Sequence, residues 1–345
     1  KPLNVKHTSM NFRIGSESNR RTEWDTGGPL DDEGKVLFRF TGSYDEGGHQ
    51  RAGGWHNQRF FTPAFTFQPA EKTKIDIEYS RQERHHAFIR PRNPFLGNGF
   101  APNDRWEPVT GYSPITDKDY ALNEGDAWSI DLTQTLSDKM FLRATVSDTS
   151  KFTDMFNLVG AGTNTDTHEF TGQSNVEIRN NDNRNYYVDF TAADVEIGNT
   201  SHTFLAGAQR DEGDGFGQTY RLNGGSGALR TALGGFPHTP YNVLTGEGRN
   251  ADGTVQMNVT REEAQDLAIQ FKADGVGGVT ADQGSPTSGK STSFFVMDQI
   301  KAMEGKLNIL AGLRRDEIGV QDKISNTSIQ AGFTFEVAEG IHLYS

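Results

Sequence analysis

The chain has 345 residues, 34 of them basic and 46 acidic, for a formal net charge of −12. That balance excludes a nucleic-acid partner held through phosphate contacts, and the absence of cysteine excludes disulfide frameworks, thiolate metal sites and cysteine catalysis. Hydrophobic residues make up only 34% while aromatics reach 10%, with Phe 23 and Gly 39, a mix too aromatic for disorder and too polar for an ordinary water-soluble globule.

No apolar run approaches the roughly 18 residues of a membrane-crossing helix. The sequence opens on "KPLNVKHTSM", strand-like and without an initiator Met, so an upstream portion is expected. Period-2 alternation then recurs along the chain. Val36, Phe38, Phe40, Gly42 and Tyr44 alternate with Leu37, Arg39, Thr41 and Ser43. Phe61, Pro63, Phe65 and Phe67 alternate with Thr62, Ala64 and Thr66, with Pro63 removing a ladder donor and predicting a local irregularity. Ile75, Ile77 and Tyr79 face away from Lys74, Asp76, Glu78 and Ser80. Trp128, Ile130, Leu132 and Leu136 oppose Ser129, Asp131, Thr133 and Thr135. Met140, Leu142, Ala144 and Val146 oppose Phe141, Arg143, Thr145 and Ser147, and Leu307, Ile309, Ala311 and Leu313 oppose Asn308, Leu310, Gly312 and Arg314. Ile329, Ala331, Phe333, Phe335 and Val337 close the series against Gln330, Gly332, Thr334 and Glu336. In these seven segments every charge falls on one face. A lipid-facing Arg or Lys costs about 2–4 kcal/mol at mid-bilayer, so a membrane barrel keeps its outward positions free of charge, although a soluble sandwich also alternates.

The connections separate the two. Tight turns are predicted at 27–35, 68–74, 136–140, 197–202, 302–306 and 336–341, and between them run long polar connections at 45–56, 82–125, 148–183 and 212–290. Short and long alternating by end is how a transmembrane barrel sorts periplasmic turns from extracellular loops. The expected fold class is therefore all-β: an antiparallel transmembrane β-barrel fragment of twelve strands, with "IHLYS" opening a thirteenth. Residues 1–345 form one partial barrel domain whose long extracellular loops lie at about 82–125, 148–183 and 212–290. An unpaired strand edge is not tolerated in lipid, so further strands are expected beyond Ser345.

Five segments, taken in order, carry a resemblance. They are "NFRIGSESNRRTEWDTGGPLDDEGKVLFRFTGSYDE", "FTPAFTFQPAEKTKIDIEYSRQER", "HTFLAGAQRDE", "FFVMDQIKAMEGKLNILAGLRRDE" and "AGFTFEVAEGIHLYS". Together they resemble the barrel of TonB-dependent outer-membrane receptors, most closely the ferric-siderophore branch. The resemblance implies a 22-stranded barrel plugged by an N-terminal domain, in the outer membrane of a Gram-negative-type bacterium. It implies import of a scarce ligand, most closely a ferric siderophore, with energy relayed by TonB through a plug segment that this sequence does not include. Roughly the last nine or ten strands are absent as well. Iron would travel as a substrate chelate, so no cofactor and no protein-bound metal are expected, and the partners are the chelate, outer-membrane lipid and TonB. No enzyme activity and no catalytic residue are expected, since pairs such as Asp298 with His342 sit in no motif. Cobalamin or carbohydrate uptake, a passive porin and a soluble β-sandwich or propeller enzyme are the alternatives.

Candidate ligand contacts come from the loops. The segment 82–125 carries His85, His86, Arg90, Arg92, Phe95, Phe100, Arg105, Trp106 and Tyr112, and the segment 212–290 carries Tyr220, Arg221, Arg230, Phe236, His238 and Tyr241. Guanidinium forks suit anionic oxygens and aromatics stack on planar chelating groups, whereas solvated loops with self-packed aromatics are the plainer reading. Adjacent His85 and His86 point to opposite faces of a strand and cannot easily share one ion. A helix is predicted over Thr260–Gly275, with Thr260 and Glu263 as a capping box and Ala264, Leu267, Ala268 and Phe271 on one face. Finally, Gly284–Ser291 matches the phosphate-loop pattern G-x-x-x-x-G-K-S, a remote nucleotide-binding alternative. That pattern needs a buried strand before it and a helix after it, and "KADGVGGVTADQ" and "STSFFVMDQIK" offer neither.

Overall fold

The computed structural model describes residues 1–49, 53–87, 115–163, 169–223, 226–242, 247–252, 254–319, 324–338 and 340–344. The elements in chain order are β1 (His7–Ile14), β2 (Arg20–Pro29), β3 (Val36–Gly48), β4 (Trp55–Ala70), β5 (Thr73–His86), β6 (Tyr120–Ser137), β7 (Met140–Thr163), β8 (Glu169–Ile197), β9 (Thr200–Asn223), α1 (Gly227–Leu233), β10 (Tyr241–Asn242), α2 (Arg261–Ala273), β11 (Val279–Asp282), β12 (Thr287–Ala302), β13 (Leu307–Ile318), β14 (Ile324–Ala338) and β15 (Ile341–Tyr344). All 15 strands belong to one sheet; β10 and β11 lie off its path, and the other thirteen pair with their neighbours in a single meander. Every strand pair is antiparallel. Each of the six predicted tight turns joins an adjacent antiparallel pair, but the connections at 15–19, 49–54, 164–168 and 319–323 are as short, so the expected sorting of short and long connections by end is only partly kept.

Register lines up the predicted faces across the sheet. One row runs Phe38, Phe65, Ile77, Ile130, Val146, Tyr186 over six strands. The next row on the opposite face runs Leu37, Thr66, Asp76, Asp131, Thr145, Tyr187, Gln209, Ser293, Asp316. The apolar side chains are the open ones: Phe65 is 45% exposed, Ile77 43% and Phe333 44%, whereas Thr66 and Ser293 are each 2% exposed. Among the described residues no second layer lies against the Phe38, Ile77 and Phe333 face, which argues against the sandwich reading. In a single sheet only its own curvature can shade a face, so the polar side is the concave one. Hydroxyls and charges there satisfy one another across strands. Thr66 donates to Asp76 at 2.5 Å, Thr145 to Asp131 at 2.6 Å and Arg143 Nε to Asp189 at 2.8 Å. At Gly207 the ladder needs a glycine, because an added Cβ would stand 2.5 Å from Phe295 Cζ.

All four expected long connections are shorter than the sequence suggested: β3 runs to Gly48 and β4 begins at Trp55, leaving 49–54 of the expected 45–56. The stretch 148–183 is mostly strand, since β7 runs 24 residues and β8 29, leaving 164–168 between them. Likewise β5 reaches His86, β6 begins at Tyr120, and β9 continues to Asn223. In "NNDNRNYY" both faces are polar, so that stretch carries no hydrophobic period to reveal it, whereas Phe156, Leu158, Val176, Ile178, Tyr220 and Leu222 alternate with polar residues in segments read as loop. Pro63 interrupts the β4–β5 pairing without shifting its register.

The segment between β9 and β12 folds into a cap. Its core joins Phe156, Leu158, Val176, Tyr220 and Leu222 of the strand extensions to Leu229 of α1, Val255, Met257, Val259 and Ala264, Ala268 and Phe271 of α2. The strand residues in this core are all even-numbered, like Val146 and Val188, so the cap sits on the apolar-belt side of the sheet beyond the belt itself. The α2 capping box forms as predicted: the Thr260 hydroxyl accepts from Glu263 N and the Glu263 carboxylate accepts from Thr260 N at 2.7 Å.

Candidate functional site

The end of the sheet bearing the cap is where the loop residues gather. His85 and His86, last on β5, point to opposite faces as alternation requires. His85 packs edge-on against Trp55 at 4.8 Å and Tyr120 at 5.9 Å. His86 Nδ1 lies 2.9 Å from Ala87 O and its Nε2 3.3 Å from Asn123 Nδ2, and burial pushes its pKa down. Among the described residues no group of three His, Cys, Asp or Glu could hold a metal. Arg90, Arg92, Phe95, Phe100, Arg105, Trp106 and Tyr112 lie outside the described residues.

The second candidate set serves the cap. Tyr220 is 2% exposed and His238 fully buried. Gly172 N donates to His238 Nε2 at 2.7 Å and His238 Nδ1 faces Thr239 O at 3.0 Å, which fixes a neutral ring with its proton on Nδ1; burial pushes its pKa down. These two rings belong to the core rather than to an open ligand surface. Arg221 Nε donates to Asn175 Oδ1 at 2.8 Å, the Arg230 guanidinium lies 4.9 Å from the Phe236 ring centre, and Tyr241 pairs with Phe170 through β10. Arg230, Phe236 and His238 therefore gather in the cap, away from the pair on β5.

Sequence reading missed the groups that tie the cap down. Arg261, first in α2, forks onto Asp154 Oδ1 at 3.0 and 2.9 Å, and the Tyr120 hydroxyl donates to the other oxygen at 3.2 Å. Asp119 is 6% exposed and takes a hydrogen bond from the Thr116 hydroxyl; burial pushes its pKa up to about 8. Their partners stand more than 30 residues away in sequence or in irregular chain, where no spacing rule applies. Asp298, considered with His342, bonds instead to His202 Nδ1 at 2.8 Å. His202 Nε2 reaches Thr200 Oγ1 at 2.8 Å, but that hydroxyl donates to Ile197 O at 2.8 Å. It therefore has no proton to give the ring, and the chain is not an activated nucleophile.

The phosphate-loop match is overturned. Thr287 to Ser291 are strand, with Gly289 and Lys290 paired to Gly213 and Glu212, and Lys290 Nζ sits 3.5 Å from Glu212. Their backbone is extended ladder, whereas a phosphate loop needs a compact turn leading into a helix. Gly284 has a φ of 66°, and a Cβ on it would fall 1.8 Å from Gly217 O; it is glycine because β9 passes against it.

Two depressions mark the wall. On the concave face one of about 340 Å³ is lined by Arg39, Thr41, Thr62, Ala64, Glu78 and Ser80. At the capped end a groove of about 610 Å³ is lined by residues that include Arg20, Glu46, Trp55, Arg59, Glu83 and His85. The concave wall between is held by ion pairs, Arg21 to Asp45 at 2.8 Å, Arg39 to Asp25 at 2.8 Å and Lys74 to Asp76 at 2.7 Å. Such a surface can stay hydrated while the other face meets hydrocarbon.

Solved structures with the same architecture decide the family of folds. BauA, the ferric preacinetobactin receptor of Acinetobacter baumannii, superposes with a TM-score of 0.72 at 12% identity, over 99% of this chain and 47% of that one. Fiu, the ferric-catecholate import receptor of E. coli K12, gives 0.70 at 14% over 99% and 54%. FpvA, the pyoverdine outer membrane receptor of Pseudomonas aeruginosa PAO1, gives 0.68 at 12% over 98% and 45%. This chain has the siderophore-receptor fold. It spans about half the length of these receptors, and these structural neighbours are transport receptors rather than enzymes. No protein-family model matches the sequence, and neither does any curated protein.

Proposed function

We propose that this chain forms part of the wall of an outer-membrane receptor that takes up a ferric siderophore. The observation that carries the proposal is a single sheet with its apolar face open and its ion-paired face sheltered, in the siderophore-receptor fold. An open apolar belt of this extent suits contact with lipid, and a sheltered charged face suits a lumen. The resemblance adds a plug and energy from TonB, acting through segments outside this sequence, with iron as cargo.

Growth of a deletion strain under iron limitation, supplied with a panel of siderophores, tests this. At least one ferric siderophore should fail to support growth of the deletion strain, and the intact gene should restore it. Unchanged use of every siderophore would refute the iron reading and leave the barrel standing.

A further inference from the structure

Over β5 to β9 the concave wall changes character with height. Toward mid-sheet it carries Asp76, Glu78, Asp131, Asp189 and Asp211. The next three rows toward the capped end run from Ser80 to Gly213, from Gln82 to Gly215 and from Arg84 to Gly217. None of their positions holds a carboxylate, although the chain's net charge is −12. Arg84, Lys151 and Arg179 stand there instead. With strands about 4.8 Å apart and rows about 7 Å apart, the patch measures roughly 19 by 14 Å.

Its groups are not engaged with one another. Arg84 and Lys151 are exposed and have no hydrogen-bond or ion-pair partner among the described residues, and the same holds for the side-chain amides of Asn181 and Asn183. Arg179 is tied through Nε to Glu177, a buried carboxylate in the row beyond. The floor is bare backbone at Gly125, Gly213, Gly215 and Gly217. The asparagines lie over part of it: a Cβ on Gly215 would stand 3.2 Å from Asn181 Oδ1, and one on Gly213 3.0 Å from Asn183 Oδ1. The result is a recessed polar surface with positive charge at its edge and middle.

Free ammonium and guanidinium groups beside amide donors, with no competing carboxylate in the patch, suit a ligand whose outer atoms are anionic oxygens. A neutral chelate gains nothing from Arg84 and Lys151, and these rows offer an aryl chelate no aromatic ring on which to stack. We propose that this patch is a cargo contact of the lumen wall and that the cargo is an iron chelate of the hydroxycarboxylate class, with carboxylate oxygens on its outside. The inference rests on the receptor reading above and narrows its ligand.

The test uses the full-length receptor in nanodiscs, titrated with ferric citrate, a ferric tris-catecholate and a neutral ferric trihydroxamate. Wild type should prefer ferric citrate by about tenfold or more, and that preference should shrink as salt is raised. Lys151→Gln and Arg84→Gln should each weaken ferric citrate binding about two- to fivefold. Lys151→Arg should bind as wild type does, and so should Lys301→Ala at the opposite rim. Both glutamine variants replace exposed, unpartnered side chains, so each should fold and insert. Undiminished ferric citrate binding by both, or a preference for either other chelate, would overturn the patch assignment and leave the receptor reading in place. Binding of none of the three would overturn it as well, and the growth test above then decides the receptor reading separately.

Discussion

At the residue scale, two buried groups set opposite pH limits on the cap. Asp119 is held neutral because burial outweighs its hydrogen bonds from Thr116 and Leu158. Its folded pKa, about 8, lies above the unfolded carboxylate value. Its contribution to stability is therefore whole below the unfolded pKa and lost as pH rises through the folded one. His238 is the converse. Burial lowers its pKa, so the stability of its neutral, doubly bonded ring is present above the ordinary histidine pKa and lost as pH falls below it. Amide exchange of the cap, corrected for intrinsic rate, should quicken as pH rises from about 6.5 to about 9, where only the Asp119 contribution changes, and vary less below the ordinary histidine pKa, where the two groups oppose each other. Asp119→Asn should remove the alkaline rise and leave the acid-side loss from His238 unopposed. Identical protection in wild type and variant at about pH 9 would show that Asp119 is not the group responsible.

At the element scale, helix α2 can be checked by its cap. Thr260 and Glu263 satisfy one another's backbone donors, and loss of such an N-cap hydroxyl costs about 0.5–2 kcal/mol. Thr260→Ala should raise exchange in α2 accordingly while leaving β3 to β7 protected, and Thr260→Ser should restore it. An equal effect across the sheet would mean that the cap and the barrel unfold as one unit. This helix was legible in the sequence because its signals are local: a capping pair three residues apart and an apolar face through Ala264, Ala268 and Phe271. The belt strands were legible for the same reason, since Ile75, Ile77 and Tyr79 alternate with Lys74, Asp76 and Glu78. The stretch Asn180–Asn185 was not, because both of its faces are polar and the period vanishes there, and the short alternations farther out, such as Phe156 with Leu158 and Tyr220 with Leu222, are too brief to mark a strand within a polar segment. Helix α1 was also missed; at 7 residues it is held by the Ser226 cap and by Leu229 in the core more than by propensity. The candidate site was legible only as residue types. Whether Tyr220 stacks on a ligand or fills a core depends on Leu229, Met257 and Phe271 arriving from elsewhere in the chain.

For the whole molecule, the decisive property is which face meets lipid, and neighbouring positions on one strand can separate the possibilities. Ile77 stands on the open apolar face, 43% exposed, between Phe65 and Ile130. Glu78, the next residue, lines the depression on the concave face. A lysine on the lipid face near mid-bilayer costs about 2–4 kcal/mol, whereas a charge in a hydrated lumen costs little. Ile77→Lys should therefore lower the stability of the full-length protein folded into lipid vesicles by about that amount, read from urea titration. Glu78→Lys should change it by less than about 1 kcal/mol, its ammonium meeting water and the carboxylates of the wall. A water-soluble sheet would give a different order: Ile77→Lys would be close to neutral on an exposed face. Equal costs at the two positions, or a larger one at Glu78, would reverse the assignment of faces and remove the basis for both the lumen and the cationic patch on its wall.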